Sequence, residues 1–264
     1  MGWDVTDPEP TAERPAKSLD LEYEEGALRD HAPDIRTPID ESAPVSGHRP
    51  PPTEGIRWAE APEHDWTAAA SRIMPVLRPP GSQGTALAGL DREALAREAL
   101  KSHASPVIDA GPVDLAIAYA LRAESFDVLI NADHLMAWGI EPAVLRETAL
   151  ENLGLWSTVA PWNDELSGER RLLSSESGEG GDAARILLAE VRRHLTDELA
   201  RGGGRVLVGL PDRDLLVAGA GPAGDDEFAA LFSEFVVEQS GGADEPIDRR
   251  VFELVDGELR PFIP

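Results

Sequence analysis

The sequence predicts an α+β fold: a largely antiparallel sheet built from hairpins, with helices packed on it, preceded by a disordered acidic leader. Three stretches predict it. In Asp114–Leu121 large and small residues alternate, with Leu115, Ile117, Tyr119 and Leu121 on one face and Ala116, Ala118 and Ala120 on the other. Residues 205–219 are apolar on both faces around a Pro211-Asp212-Arg213-Asp214 turn, the signature of paired strands in mid-sheet. Between them, Ala184, Leu187, Leu188, Val191, Leu195 and Leu199 form a helical stripe. Tight turns between strands mean antiparallel pairing, which separates this pattern from a doubly wound parallel sheet.

The elements follow in order. Residues 1–53 hold 12 acidic residues, five basic ones and nine prolines, with few large apolar side chains, so disorder is expected there and a single domain over 54–264. A first helix is expected over Asp65–Met74, capped by Asp65 and stopped by Pro75, and a second over Asp91–Ser102. Residues 113–131 read as a hairpin. Two short helices follow, Asp133–Trp138 and Pro142–Leu153, the first capped by Asp133 and ended by Gly139, the second stopped by Gly154. Two strands are expected within 155–175, around turns at Asn163-Asp164 and Ser167-Gly168. The longest helix is expected over Asp182–Arg201, capped by Asp182, and another over Asp225–Gln239 with Phe228, Leu231, Phe232 and Phe235 inward. A final hairpin turns at Asp256-Gly257, a pair suited to a type I′ turn, and Pro261 places its second strand at a sheet edge.

Composition excludes several functions. Net charge is −25, and basic residues cluster only in pairs, which disfavours nucleic acid and anionic membranes as partners. No run approaches the length of a membrane span, and Met1-Gly2-Trp3-Asp4 lacks the features of a secretory signal. The absence of cysteine removes disulfides, thiol nucleophiles and cysteine metal sites together. A cytoplasmic location is therefore expected. Both lysines, Lys17 and Lys101, lie outside any phosphate-loop context.

The residues that could carry chemistry form four groups. Asp212 and Asp214 suit a divalent cation, with Arg213 to receive an anion, but the same string suits a tight turn whose aspartates bond to backbone N–H groups. Asp133 and His134 beside Trp138 suit an acid/base pair against an aromatic wall, or a cap, a half-exposed imidazole and a core indole. Asp182 and Arg185 follow Gly178, Gly180 and Gly181, as at a phosphate-binding helix start, though Glu179 and Asp182 oppose an anion and suit a helix cap. Asn152 suits either ligand contact or helix C-capping. No histidine has metal-ligand spacing and no nucleophile elbow is present; the cofactor is unknown from sequence.

Short motifs along residues 64–263 resemble the YtpQ-like family of uncharacterised bacterial cytosolic proteins. They are Ile73-Met74-Pro75-Val76-Leu77-Arg78, Asp114-Leu115-Ala116-Ile117-Ala118-Tyr119, Trp138-Gly139, Ala149-Leu150-Glu151-Asn152-Leu153, Asp182-Ala183-Ala184-Arg185-Ile186-Leu187 and Leu210-Pro211-Asp212-Arg213-Asp214-Leu215. The resemblance implies no established activity, substrate or cofactor. That family tends to place a serine where this chain has Ala184, which removes a serine-based chemistry there.

The sequence thus points to a non-enzymatic cytosolic interaction or adaptor domain with a protein partner, its oligomeric state open. The alternatives are a metal-dependent hydrolase, which needs Asp212, Asp214, Asp182 and His134 to converge, and a small-ligand sensor at the Asp212/Asp214 turn. Trp58, Trp156 and Trp162 are expected in loops, free to meet a partner.

Overall fold

Among the described residues two sheets carry the fold, one of five strands and one of six, each with helices laid against it. The computed structural model describes residues 64–101, 105–123 and 126–263, all within one compact unit, Pro51–Pro264. The expected leader over 1–53 and the domain's first residues lie outside the described residues, as does Trp58.

The first sheet begins where a helix was expected. Asp65 caps α1 (Trp66–Ala69), its carboxylate accepting from the Thr67 N–H at 2.9 Å, and a 3-10 turn follows over Ala70–Arg72. Ile73 and Met74 then open strand β1 (Ile73–Arg78), a buried run that gains more from pairing with β4 (Ala116–Arg122) than from extending a helix. Pro75 therefore does not stop the helix. It lies in an edge strand, where a missing N–H costs no ladder bond. The strands β2 (Thr85–Ala86), β3 (Val107–Ala110) and β5 (Asp127–Leu129) complete the sheet, in the order β1-β4-β3-β2 with β5 also on β4. Only the β2–β3 pair is parallel among the described strands.

The alternation works as the sequence predicts at Tyr119 and Leu121, whereas Leu115, ahead of β4, lies in the other core with Met74 and Leu77. Tyr119 and Leu121 join Ile73 in a core with Leu95 of α2 (Arg92–Ala99), Leu135 and Trp138 of α3 (Ala132–Trp138), and Leu145 and Ala149 of α4 (Pro142–Ser157). The opposite face carries Ala116, Ala118, Ala120 and then Arg122, in register with Val76 and Arg78 of β1 and with Asp127 and Leu129 of β5. Tyr119 is 1% exposed, and its hydroxyl donates to Asp109 at 2.6 Å. Arg146 of α4 grips the same carboxylate through Nε and Nη2, both at 2.8 Å. Burial pushes the Asp109 carboxyl up, but the bonds from Arg146 and Tyr119 together hold it below the ordinary aspartate value. The unfolded chain then binds this proton more readily, so the contribution is present above the ordinary carboxylate range and is lost as pH falls through the lowered value. Asp109→Asn is expected to flatten the acid limb of the stability–pH curve, measured by urea denaturation between pH 7 and 3; an unchanged limb would remove this linkage.

Two helix ends differ from expectation. Asn131, not Asp133, caps α3: its side chain accepts from the His134 N–H at 3.1 Å, while His134 Nδ1 accepts from the Asn131 N–H at 3.2 Å. Asp133 is exposed and lies two residues past the cap. The helix α4 runs through Gly154 to Ser157. A helical glycine costs about 1 kcal/mol. Here, Leu153 packing and an arginine that collects the carbonyls beyond the last turn offset it. Asn152 accordingly does not cap. Its Nδ2 donates to the carbonyls of Ala70 and Ile73 at 2.7 and 2.8 Å, tying α4 to the corner where α1 gives way to β1.

The second sheet is wholly antiparallel and runs β11 (Glu258–Pro261), β10 (Val251–Val255), β8 (Leu207–Asp212), β9 (Leu215–Ala220), β7 (Arg170–Ser175) and β6 (Asn163–Ser167). Asn163-Asp164 is no turn but the start of β6 (Asn163–Ser167). The chain reverses at Gly168, whose φ is +63°, into β7 (Arg170–Ser175). The two apolar-on-both-faces strands, β8 (Leu207–Asp212) and β9 (Leu215–Ala220), lie at the centre. Their odd positions (Leu207, Leu215, Val217) meet Phe232 and Val236 of α6 (Asp226–Gly242). Their even positions join the main core with Leu195 of α5 (Ala189–Leu199). Leu231 of α6 is 51% exposed, because the phase set by the Asp225 cap turns Phe232 and Val236 inward instead. β10 (Val251–Val255) and β11 (Glu258–Pro261) close the sheet across Asp256-Gly257, both at positive φ, and Pro261 lies on the outer strand.

The long helix expected over Asp182–Arg201 is broken. Ala183–Leu187 form a buried 3-10 turn, Leu188 is extended, and α5 starts at Ala189. Arg192 makes the break tolerable by donating to the carbonyls of Ile186 and Leu187 at 2.7 and 2.8 Å.

Candidate functional site

The predicted site residues separate into structural pieces and one cleft. Asp182 and Arg185 are 0% and 1% exposed, and both are architectural. Asp182 makes no cap bond. Its carboxylate accepts from the Ser175 hydroxyl and from the Ser177 N–H and Oγ at 3.0 and 2.6 Å. Ser175 Oγ in turn accepts from Arg185 Nη1 at 2.6 Å, so a serine hydroxyl links the buried anion to the buried cation. Arg185 spends its remaining donors on Ser157 Oγ and on the carbonyls of Ser157, Ala160 and Pro161, beyond the end of α4. Cations favour helix C-termini for this reason. The Trp162 ring covers the guanidinium with its centroid at 4.0 Å. Burial pulls the arginine down to about 10, against the pull of Asp182. No donor is left for a phosphate. Trp162 lies in the loop before Asn163 as expected, while Trp156 lies in α4; both flank this arginine.

Asp133, His134 and Trp138 serve α3. The His134 and Trp138 rings meet in a tilted contact with centroids 5.4 Å apart, and Trp66 makes a tilted contact with Trp138 at the same distance. Asp212 is a turn residue: its carboxylate accepts from the Asp214 N–H at 2.7 Å and the Glu245 N–H at 3.4 Å. Among the described residues no group of three histidine, aspartate or glutamate side chains gathers in a way that could hold a metal ion. The convergence of Asp212, Asp214, Asp182 and His134 that a metal-based hydrolase requires is therefore not formed.

Arg213 and Asp214 open onto a cleft of about 850 Å³ over the alanine face of β4. Arg213 spans it. Its Nε donates to the Gly180 carbonyl at 3.2 Å, Nη1 to Glu245 at 2.9 Å and Nη2 to Asp127 of β5. Its own carbonyl accepts from the Ala183 N–H at 3.1 Å. One side chain thus ties the β8–β9 turn to the first sheet and to the Gly178–Gly181 loop.

The cleft's floor carries Arg122, which follows the alanine stripe of β4. Arg122 Nε and Nη2 and Asp214 Oδ1 are buried without a hydrogen-bond partner, the three such side-chain atoms among the described residues. Burial lowers the Arg122 pKa, and the charge of Arg213 adds to this, while Asp127, Glu179 and Asp214 oppose it. Burial raises the Asp214 carboxyl, against the Gly180 backbone and Arg213. Buried, unbonded charged groups are costly and are kept where they serve a function. Asp214 was legible from the sequence. Arg122 was not, because it reads as the polar end of a hairpin strand; the change from alanine to arginine on one strand face was the available signal.

A second cavity of about 430 Å³, between α6 and Phe262, is mainly apolar, and its arginine, Arg205, is already paired with Glu253 at 2.7 Å. The polar cleft is the better candidate. No helix among the described residues is long and apolar enough to cross a membrane. Comparison with protein-family models, with curated proteins and with solved structures finds no match.

Proposed function

We propose that this chain is a non-enzymatic interaction domain that takes a ligand group in the cleft between Arg122 and Asp214. The observation that carries the proposal is the pair of buried, oppositely charged side chains on one cleft floor, each with polar atoms that no other group of the protein bonds. A ligand offering an acceptor to Arg122 and a donor to Asp214 satisfies both, and such bonds to charged groups contribute about 1.5–3 kcal/mol each. The remaining predicted residues are consumed by the fold, which favours binding over catalysis. A protein partner in the cytoplasm, and membership of the YtpQ-like family on the order of the short motifs, belong to the same proposal. The −25 charge opposes nucleic acid as the partner.

Native mass spectrometry of the full chain, taken gently from its own cytosol, tests this. A bound mass is expected, and Arg122→Gln is expected to release it. A bound mass that survives Arg122→Gln, or bare chain in the unaltered protein, would count against the cleft.

A further inference from the structure

We infer that the cleft's ligand is an extended peptide segment of mixed charge, its carboxylate held by Arg122 and a neighbouring basic side chain held by Glu179 and Asp244. This rests on the ligand-binding function proposed for the cleft. The molecule's own arginines indicate the first half. Arg146, Arg170, Arg171 and Arg250 each grip an aspartate with the edge formed by Nε and Nη2, at 2.6–3.0 Å. The same edge of Arg122 is the unbonded one. That fork matches the two oxygens of a carboxylate. The edge is shielded beside Gly181 and the Trp156 ring, whose centroid lies 6.0 Å from the guanidinium carbon. A ligand engages it by turning the guanidinium into the cleft, a side-chain rotation of the kind binding surfaces commonly undergo with the backbone in place.

Charge balance indicates the second half. Arg213 is paired with both Asp127 and Glu245, one acid more than it neutralises. That leaves Arg78 and Arg122 against Glu179, Asp214 and Asp244 around the cleft. A purely anionic ligand would meet this acid rim and the −25 field of the whole chain; a segment with both signs is matched at both places. Size indicates a peptide over a single amino acid. About 850 Å³ lies towards the upper end of small-ligand pockets.

Calorimetric titration of the full chain with a blocked octapeptide of alternating arginine and glutamate tests the inference, beside variants carrying glutamine for glutamate or norleucine for arginine. The mixed peptide is expected to bind about tenfold or more tighter than the glutamine variant, despite the latter's greater positive charge. In Arg122→Gln that preference is expected to vanish; in Glu179→Gln/Asp244→Asn the preference over the norleucine variant is expected to vanish. Circular dichroism and melting of each variant confirm the fold. Equal binding of mixed and glutamine peptides, or a preference that survives Arg122→Gln, overturns the inference. If no peptide binds while succinate or inorganic phosphate does so through Arg122, the peptide is overturned and the cleft's binding role stands. If none of these probes binds, both fall.

Discussion

Arg185→Met and Asp182→Asn are each expected to destabilise the protein by about 3–5 kcal/mol, because each leaves the other charge buried without its counterpart. In Arg185→Met, Asp182 keeps Ser175 and Ser177 but loses the cation across the serine. In Asp182→Asn, Arg185 keeps its carbonyls and Trp162 but loses the anion. The double variant is expected to cost well under the sum, with a coupling energy of about 2–3 kcal/mol, since no unmatched charge remains. The residual loss reflects the carbonyls of Ser157, Ala160 and Pro161, which no longer have their donor. Urea denaturation of the four proteins measures the cycle. Strict additivity would show that the two charges act independently and that the serine link carries no energy.

The second large effect is expected at Gly180. Its φ is +71°, and a Cβ there would lie 2.7 Å from Arg213 Cζ and Nε. Gly180→Ala therefore meets left-handed strain of about 1–2 kcal/mol and displaces a guanidinium that holds Asp127 and Glu245, for a total of about 2–4 kcal/mol. In an Arg213→Ala background the collision is gone, and the same substitution is expected to cost only the strain, about 1–2 kcal/mol. Denaturant midpoints of both pairs check this. An equal cost in the two backgrounds would mean that the loop yields without disturbing Arg213.

These two sites show where sequence alone was sufficient and where it was not. Strand pairing was legible because its signals are local: the alternation of Leu115–Leu121, the double-sided apolarity around Pro211–Asp214, and Asp256-Gly257. So was the turn role of Asp212. The misread positions depend on distant partners. Asp182 preceding an apolar helical stripe is indistinguishable from a cap until Ser175 and Ser177 are seen beside it. Gly154 resembles a stop until Arg185 is seen collecting the carbonyls beyond it. Ile73 and Met74 carry helical spacing with Trp66, yet a paired strand on β4 outweighs that local preference. Arg122 becomes a candidate only when burial is known, because an arginine at a strand end is ordinary and one with two shielded, unbonded nitrogens is not.

The alanine stripe of β4 has a consequence for how such a cleft changes over time. At Ala120, which lines the cleft beside Arg122, the recess owes its depth to absent carbon. Each methyl added at Ala120 would shallow the recess beside the charge without touching the charge itself. Selectivity for ligand bulk and affinity for ligand charge thus reside at adjacent but separate positions of one strand, and selection can adjust either while the other stays as it is.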